Sequence, residues 1–456
     1  MSASPPVDLL VVGGGLAGLL AAWRARRERP QARVGVLEAS TRAGGVIESV
    51  REDGFLIERA ASTARAGASA LLQVVRELGL EGELVESTAA ARRRWILRRG
   101  RLVAAPTSPL ALVTTRLLSL RAKLRLLKEP WIARGGVDDE TLAAFVARRC
   151  GQELVDPLLD AVVTGIFAGD PRRLEARAAF PKLCDWEERH GSVLRGGRRE
   201  ALRRRGLLAL RGGMQQLVDR LVGELGGAIG TGTTVVSLAR EGRGREEGDR
   251  DGAGAGAPSE DALWRVETSD GSTWRARSVV LATPAHVSAR LVAPFDERLA
   301  RELAAIESAN VAVVAIGLRR EQVGADVRGL GFLVPSSEAT PLLGVLFESS
   351  LFPGRAPEGH VLLRAMVGGE RAALPDDRAA VAELAWREAS RVLSVAGSPR
   401  LLRAFLHQPG IPQYRPGHTA RLARIDRHLE NHADLRLAGW SYRGIALDDR
   451  ARETMT

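Results

Sequence analysis

The sequence predicts an α/β protein with a Rossmann-type domain built from separate segments, an α+β domain and a helical domain. An apolar strand, a glycine-rich turn and a helix follow one another near the N-terminus. Alternating strands and helices are predicted again after residue 206, and a stretch with helical periodicity lies between these two regions. We therefore expect the Rossmann-type domain at 1–90, 206–283 and 426–456, the helical domain at 91–205, and the α+β domain at 284–425.

The composition is that of an ordinary globular protein, with 456 residues, 45% of them hydrophobic and 27% charged. The net charge of +11 comes almost entirely from arginine, because Lys123, Lys128 and Lys182 are the only lysines among 66 basic residues. These arginines are spread along the chain without a nucleic-acid-binding motif, which favours anionic small molecules or an anionic membrane surface over nucleic acid. Cys150 and Cys184 stand apart, so we expect a reduced compartment without disulfides.

Several classes of function find no support in the residues. No His/Cys/Asp cluster has the spacing of metal ligands and no Ser/His/Asp constellation stands out, so we expect neither a metal site nor a hydrolytic triad. No segment reaches the ~18 uninterrupted apolar residues of a spanning helix. The N-terminus lacks the basic residues that precede the apolar stretch of a signal peptide, so we expect no signal peptide.

The N-terminal stretch VDLLVVGGGLAGLLAAWRARR contains the first nucleotide-binding motif. Gly13, Gly15 and Gly18 give G-x-G-x-x-G between a strand and a helix, where the glycines allow a tight turn, a close pyrophosphate and close helix–strand packing. A second strand, ARVGVLE, ends at Glu38, about 20 residues after Gly18, where an acidic side chain binds a ribose hydroxyl. These observations predict a dinucleotide site.

The next block, EASTRAGGVIES, favours FAD over NAD. Arg42 and the pair Gly44-Gly45 follow Glu38 closely. A second pair of close-approach glycines beside a fixed cation suits a long dianionic ligand. This block also resembles the extended fingerprint of FAD-containing amine-oxidase-like flavoproteins, in which the arginine and glycines lie along the phosphate and flavin side of the cofactor.

The middle of the chain predicts a hairpin turning at Arg99-Gly100 and then helices over 107–164. Apolar residues at helical spacing form one stripe, flanked by Arg121, Lys123 and Arg125. Such a basic amphipathic stretch can lie in a membrane interface or form a core helix, and the pattern alone leaves both open. The stripe consists of Leu110, Val113, Leu117, Leu120, Leu124 and Leu127.

Later segments return to strands and helices. Gly212-Gly213 precedes a helix, TTVVSLA reads as a strand, and a hairpin turns at Asp270-Gly271. The Gly- and charge-rich stretch from Glu241 to Ala262 is expected to be a solvated loop. A further helix is expected from Asp376 to about Ala396.

Four blocks resemble the protoporphyrinogen oxidase family, and the similarity extends over nearly the whole chain outside the 241–262 insert. They are GIFAGDPRRLEARAAFPKL, ESSLFPGRAPEG, IPQYRPGH and LAGWSYRGIAL. The resemblance implies that the C-terminal segment returns to the nucleotide domain and closes over the flavin, with Trp440 and Tyr442 beside the ring. A buried aromatic pair capping a core would share that geometry. The cofactor-binding residues implied are Gly13, Gly15, Leu16, Ala17, Gly18, Glu38, Ala39, Arg42, Gly44, Gly45, Val235, Gly439, Trp440, Ile445, Ala446 and Leu447.

The family's chemistry gives the expected activity, an FAD-dependent, oxygen-dependent oxidation of protoporphyrinogen IX to protoporphyrin IX in haem biosynthesis. Six electrons leave in three hydride transfers to non-covalently bound FAD, and oxygen is reduced to hydrogen peroxide. Because flavin N5 is the reacting centre, no catalytic side chain is expected. An apolar pocket with a cation would suit a macrocycle bearing two propionates, and the resemblance places Arg94 on a propionate. The implied substrate-binding residues are Arg94, Leu330, Gly331, Leu333, Leu346 and Met366.

The leucine stripe flanked by cations predicts peripheral, monotopic attachment on the cytoplasmic side of a membrane, through the region near Leu110 to Leu127 of a helical membrane-associated domain. A homodimer and a hand-off of product to ferrochelatase are also expected. The chain departs from the family pattern at Ala60-Ala61, where Gly-Pro is usual, and at Trp440 and Ala446, where asparagine and glycine are usual. Oxidation of coproporphyrinogen III, with four propionates, is an alternative. A flavin-dependent amine oxidase is another, although no lysine follows Lys182 to lie near N5. A non-enzymatic, flavin-binding scaffold at a membrane surface is the third.

Overall fold

The computed structural model describes residues 5–106, 109–200, 206–241 and 263–453. Apart from Glu241, the predicted loop insert lies outside these residues. The strands are β1 (Val7–Val12), β2 (Val34–Glu38), β3 (Ser49–Glu52), β4 (Phe55–Glu58), β5 (Ala64–Arg65), β6 (Leu84–Glu86), β7 (Trp95–Arg98), β8 (Arg101–Ala104), β9 (Leu207–Leu210), β10 (Ile229–Thr231), β11 (Val235–Glu241), β12 (Leu263–Thr268), β13 (Thr273–Leu281), β14 (Ser308–Arg319), β15 (Gly331–Leu333), β16 (Leu342–Leu346), β17 (His360–Gly368), β18 (Leu401–Pro412) and β19 (Leu435–Leu437).

The α-helices alternate with these strands and also cluster between β8 and β9. They are α1 (Leu16–Glu28), α2 (Ser69–Glu77), α3 (Pro109–Thr114), α4 (Leu120–Leu127), α5 (Leu142–Cys150), α6 (Asp160–Phe167), α7 (Ala176–Ala179), α8 (Pro181–His190), α9 (Val193–Glu200), α10 (Gln215–Leu225), α11 (Ala285–Val292), α12 (Glu297–Ala304), α13 (Glu348–Leu351), α14 (Arg378–Leu393), α15 (His418–Glu430) and α16 (Leu447–Glu453). Mixed sheets and helices make this an α/β protein, as predicted.

The chain divides into two compact units. The first comprises Met1–Ile47, Gln215–Ile306 and Arg421–Thr456, and the second comprises Glu48–Met214 and Glu307–Ala420. These units are compact parts of the fold, whereas each predicted domain was assigned a function. The division into functional domains therefore stays a prediction.

The first unit is built around a sheet in the order β10-β2-β1-β13-β12-β11, with β19 also paired to β13. The strands β10, β2, β1, β13 and β19 run parallel, and β11 and β12 pair antiparallel with their neighbours. In β1 every residue except Asp8 is buried, as expected for a parallel strand covered on both faces. Helices α11 and α12 contribute to its core, and α15 contributes Leu422, Ile425 and Leu429.

The second unit contains a sheet in the order β18-β14-β17-β16-β15-β7-β8. Only β15 and β7 pair in parallel among these neighbours. Helix α14 covers one face, where Val381, Ala385 and Leu393 join the core formed by Phe332 and Val345. The opposite face carries most of the predicted substrate residues.

The predicted hairpin at Arg99-Gly100 is confirmed. Arg98 faces Arg101 across the turn, and both turn residues have positive φ (50° and 72°), as a two-residue type I′ turn requires. The hairpin at Asp270-Gly271 is also confirmed, because β12 and β13 pair antiparallel on either side of it.

The helices predicted over 107–164 are present as short segments, and the leucine stripe does not form one continuous face. Ser119 caps α4, and its own N–H and hydroxyl both donate to the Glu153 carboxylate. This cap turns the chain, so Leu117 is buried against Ile96 while the later leucines of the stripe face outward. The exposed fractions of Leu120, Leu124 and Leu127 are 73%, 53% and 56%. The side chains of Leu110 and Val113 lie outside the described part.

Candidate functional site

The glycine turn after β1 is shaped so that side chains cannot be accommodated. Gly13 has φ +107°, and a Cβ there would lie 2.8 Å from the carbonyl oxygen of Ala282. A Cβ on Gly18 would lie only 1.9 Å from the carbonyl oxygen of Gly13. Gly15 caps α1 without a side chain, which leaves the first N–H groups of a helix available to an anion. Leu16 and Ala17, at the start of α1, are buried.

Glu38 is fixed at the end of β2 by two backbone donors. Its Oε2 accepts a hydrogen bond from Gly14 N at 2.7 Å, and its Oε1 accepts one from Ser40 N at 2.8 Å. A Cβ on Gly14 would lie 2.9 Å from the Cβ of Glu38, so this glycine is needed to admit the carboxylate. Gly14 was missed at the sequence level, because the G-x-G-x-x-G pattern treats it as a free position. The neighbouring Ala39 is exposed.

Arg42 holds the second glycine loop in place. Its guanidinium donates to the carbonyl oxygens of Ala43, Gly45 and Ile47, at 3.0, 2.7 and 3.0 Å. Gly44 N donates to Gly14 O at 2.7 Å, so the two glycine loops are joined directly. A Cβ on Gly45 would lie 3.1 Å from the Cα of Gly15. Arg42 therefore positions the loop, and its predicted approach to phosphate stays a prediction.

The C-terminal segment is held by a half-buried carboxylate. Gly439, with φ +125°, donates its N–H to both oxygens of Glu453, at 3.3 and 3.1 Å. Burial raises the pKa of Glu453, opposed by the Arg450 guanidinium that pairs with it at 2.5 Å. Nothing lies within 4 Å of a Cβ placed on Gly439, so the backbone there faces open space.

The two C-terminal aromatic residues have different surroundings. Tyr442 is 2% exposed, belongs to the core of the first unit, and donates to the Ser288 hydroxyl at 3.3 Å. Burial raises the pKa of its phenol well above the ordinary value. Trp440 is half-buried. The ring of Tyr442 packs among core side chains, and the position of the aromatic pair beside a flavin stays a prediction.

The remaining predicted cofactor residues lie in the same unit. Val235 is half-buried at the start of β11, after a loop in which Thr233 N donates to Glu38 O at 2.8 Å. Ile445 and Ala446 form the turn before α16, which begins at Leu447. Ala446 N donates to the Asp449 carboxylate at 3.0 Å, which secures this turn.

Five of the six predicted substrate residues lie on the sheet face of the second unit opposite α14, where α6 packs against β15 and β16 and Leu333 packs with Ile96, Leu117 and Ala161. Gly331 pairs with Leu346 across β15 and β16, and Met366 pairs with Gly344, the partner of Leu333. Residues opposite one another in register point to the same face of a sheet. Leu333, Leu346 and Met366 are each half-buried, whereas the residues on either side of Leu346 and Met366 are buried. Leu330 lies apart, packed with Ala91, Ala209, Leu351 and Phe352.

Arg94 stands at the edge of this face. Because Ile96 is level with Leu333, Arg94 is level with Gly331, and Leu330 N donates to the adjoining Arg93 carbonyl at 2.8 Å. Its guanidinium makes no hydrogen bond or ion pair within the described ranges. It is accessible to solvent, yet the surrounding protein desolvates it and lowers its pKa. A partly desolvated cation without a partner is suited to an anionic ligand.

A second arginine on this face was missed by the sequence reasoning. Arg364 is level with Leu346, and its Nε lies 3.0 Å from the Glu348 carboxylate. It also donates to the carbonyl oxygen of Ala60 and, at 2.8 Å, to the hydroxyl of Ser62. Arg364 thus holds the turn in which Ala60-Ala61 replace the family's Gly-Pro. No local sequence signal connects positions 300 residues apart.

Two of the blocks that carried the family resemblance are packed against each other. Gln413 donates to the Phe167 carbonyl at 2.7 Å, and Glu175 N donates to the Tyr414 carbonyl at 2.8 Å. A Cβ on Gly169 would lie 2.2 Å from the amide oxygen of Gln413. These blocks are a structural junction of the second unit. The Asp170 carboxylate accepts a hydrogen bond from Arg172 N at 2.8 Å in a turn.

Comparison with known proteins identifies flavin-containing oxidoreductases and porphyrinogen oxidases as similar to this chain. The family described as flavin containing amine oxidoreductase matches residues 16–442. The protoporphyrinogen oxidase of Homo sapiens is 32% identical over 97% of this chain and 95% of its own length. The coproporphyrinogen III oxidase of Bacillus subtilis is 26% identical with the same coverage. A solved structure from Exiguobacterium sp. 255-15, a candidate protoporphyrinogen oxidase, has the same fold, with a TM-score of 0.82, 24% identity and coverage of 99% and 98% of the two chains.

Proposed function

The chain belongs to the flavin-containing amine oxidoreductase family and, within it, to the porphyrinogen oxidases, and from this premise we propose that it oxidises protoporphyrinogen IX to protoporphyrin IX with FAD and oxygen in haem biosynthesis. The observation that carries the choice of substrate is Arg94. It is a cation without a protein partner in the described residues, at the edge of an apolar sheet face.

The residues present fit FAD. Gly13, Gly18 and Gly45 pack closely against neighbouring backbone and so shape the two glycine loops, whereas a Cβ on Gly15 would meet no atom nearer than 4.0 Å, which leaves the backbone there open to a ligand. Glu38 has both oxygens oriented by backbone donors and keeps lone pairs for ribose hydroxyls. When bound, the flavin supplies the two-electron oxidation. The segment LRLAGWSYRGIALDD contains no cysteine that could link it covalently, so we expect release of FAD on denaturation.

The chain's own residues bind and orient the porphyrinogen. The half-buried side chains of Leu333, Leu346 and Met366 offer apolar contacts to a macrocycle. A guanidinium can meet a carboxylate with two parallel hydrogen bonds, so Arg94 would hold one propionate and fix the rotation of the ring. Orienting the substrate in this way is the contribution expected of a protein whose cofactor performs the chemistry.

Turnover with two substrates tests this proposal. Purified protein reconstituted with FAD is supplied with protoporphyrinogen IX or coproporphyrinogen III, and the fluorescence of the porphyrin product and the hydrogen peroxide formed are followed together. We expect faster oxidation of protoporphyrinogen. Preference for coproporphyrinogen would favour the second candidate, which the Bacillus subtilis relative supports. No turnover of either porphyrinogen, with FAD bound, would refute the proposal.

We further propose that the protein attaches peripherally to the cytoplasmic side of a membrane through an apolar patch of α4 and the turn that follows it. Leu120, Leu124 and Leu127 recur on one side of α4, and Trp131 is 78% exposed. Lys123 and Lys128 provide cations beside them, as in interfacial helices. None of the helices in the described residues has the length and apolar character to cross a membrane. From the resemblance alone we also propose a homodimer and a hand-off of product to ferrochelatase.

Substitution of the apolar patch tests the attachment. Replacing Leu120, Leu124 and Leu127 together with Asp should reduce binding to lipid vesicles at least 100-fold, since burying a leucine is worth about 1.5 kcal/mol or more. Sedimentation measures this, and the bound flavin should be retained because these side chains are exposed. The control is Leu117→Asp, which should destabilise the protein, because Leu117 is 1% exposed. Unchanged vesicle binding by the triple variant would refute the attachment.

A further inference from the structure

A pocket lined by four arginines and one histidine lies in the hairpin of α8 and α9. Its volume is about 650 Å³. Two features make the hairpin tight. Gly191 ends α8 in the left-handed conformation, and a Cβ on Gly196 would lie 2.4 Å from the Trp186 side chain, so the two helices approach closely. The pocket is lined by Arg189, His190, Arg195, Arg198 and Arg199.

Within the described part of the chain, no carboxylate forms an ion pair with the arginines of this pocket. Neighbouring arginines of the same region each pair with acid: Arg148 with Glu140 and Glu187, and Arg177 with Glu188. In contrast, the four arginines of the pocket form no ion pair with any residue in the described ranges. The side chain of Arg199 lies 3.5 Å from Nδ1 of His190. Like charges held together are unfavourable, and a bound anion would relieve their repulsion.

The hairpin that forms the pocket is hydrogen-bonded to the turn that bears Trp131, which is part of the exposed apolar patch. Glu129, in the turn that bears Trp131, accepts hydrogen bonds from Ser192 Oγ and from the backbone N–H groups of Val193 and Leu194, at the start of α9. Glu129 is itself paired with the fully buried Arg149, which also donates to the carbonyl oxygen of Gly191 at 2.8 Å. This buried network fixes the arginine pocket relative to Trp131.

We infer that the α8–α9 pocket binds the phosphate of an anionic phospholipid headgroup. Guanidinium groups bind phosphate with paired hydrogen bonds, and a pocket joined to immersed side chains meets that phosphate at the depth of the headgroups. The inference rests on the membrane attachment proposed above and adds a chemical preference to it. The apolar patch would bind any bilayer, and the pocket would select one with negative charge.

Charge removal at the pocket tests this inference. Arg195, Arg198 and Arg199 are replaced together with Gln in the full-length holoprotein, and sedimentation is measured with vesicles of phosphatidylcholine alone or mixed with phosphatidylglycerol. The matched control replaces Arg290, Arg298 and Arg301, three exposed helix arginines of the first unit, with Gln. A second variant, with Lys at the three pocket positions, keeps the charge. Flavin absorption and thermal unfolding establish that each variant is folded.

We expect the pocket variant to lose about 100-fold in affinity for vesicles containing phosphatidylglycerol, from about 1 kcal/mol per cation near an anionic surface. Its binding to phosphatidylcholine should not change, and the Lys variant should recover most of the affinity. Equal losses in the pocket and control variants would overturn the inference, because net charge alone would then be responsible. Indifference of the wild type to phosphatidylglycerol would overturn it as well. A third result would also overturn the inference: inorganic phosphate binds the pocket tightly but displaces no protein from the vesicles. The pocket would then be a site for a soluble anion.

The test separates this inference from the attachment on which it rests. Loss of binding to both kinds of vesicle is the result expected of the leucine variant, whereas the arginine variant should be affected only where the lipid is anionic. If the leucine variant binds both vesicles normally, the attachment itself is wrong.

Discussion

Removal of the Arg94 side chain should impair substrate binding with little effect on folding. The guanidinium has no partner among the residues described, so Arg94→Ala leaves no protein carboxylate unpaired. The free energy of unfolding should therefore change by less than about 0.5 kcal/mol, as at other surface positions. Losing one partner of a charged hydrogen bond costs about 1.5–3 kcal/mol, which corresponds to a 10- to 150-fold loss of affinity. Because Arg94 is accessible to solvent, we expect the lower part of that range.

Rapid mixing under anaerobic conditions measures both effects of this substitution. The dependence of flavin reduction on porphyrinogen concentration gives the apparent affinity, and its plateau gives the rate. We expect weaker binding and a lower plateau, because a ring that is not anchored at one propionate presents its methylene positions less well. Arg94→Lys should recover only part of the affinity, since an ammonium lacks the planar fork of the guanidinium.

Arg99→Ala is the matched control in the same arginine-rich hairpin. The turn there is held through the backbone, since Arg99 N and Gly100 N donate to the Glu338 carboxylate at 2.6 and 3.0 Å. The exposed Arg99 side chain should be dispensable. Equal effects at Arg94 and Arg99, or none at Arg94, would show that this arginine run is solvated surface and would refute the assignment.

Two further predictions concern the flavin site. Gly18→Ala should abolish flavin binding and lower the unfolding temperature, because the new Cβ would overlap Gly13 O, at a cost of about 3 kcal/mol or more. The control Gly223→Ala, with open space around its Cβ in α10, should be neutral or stabilising by up to about 1 kcal/mol. Equal behaviour of the two variants would contradict the packing argument. Glu38→Gln should weaken FAD binding about 10-fold or more in a fluorescence titration, because an amide NH2 must then face one of the two backbone donors; unchanged affinity would show that Glu38 does not orient the cofactor.

Features determined by neighbouring residues could be predicted from the sequence. The strand Val7–Val12 ends at the glycine turn as expected, because a run of apolar residues followed by Gly13 admits few other conformations. The hairpin at Arg99-Gly100 was also predictable, since glycine favours the positive φ of a two-residue turn. Arg94 was placed through the family resemblance, and the sheet register then brought it level with Gly331.

Features that depend on distant residues could not be predicted. The leucine periodicity gives no sign that Glu153 anchors Ser119 and divides the stripe into buried and exposed parts. The motif spacing does not reveal that Gly14 makes room for Glu38, 24 positions later. Arg364 reaches the 60–62 turn only because β17 places it there. In each case the deciding contact joins segments that no local pattern relates.

The central claim is that the flavin bound by this chain accepts electrons from a porphyrinogen. Anaerobic titration of the purified yellow protein with protoporphyrinogen IX tests it most directly, with the visible absorption of the flavin and the fluorescence of the product recorded together. The account predicts full loss of the flavin absorption, with three flavins reduced for each porphyrin formed, and its return on admitting oxygen. A flavin that dithionite bleaches but that neither protoporphyrinogen nor coproporphyrinogen reduces would contradict the claim.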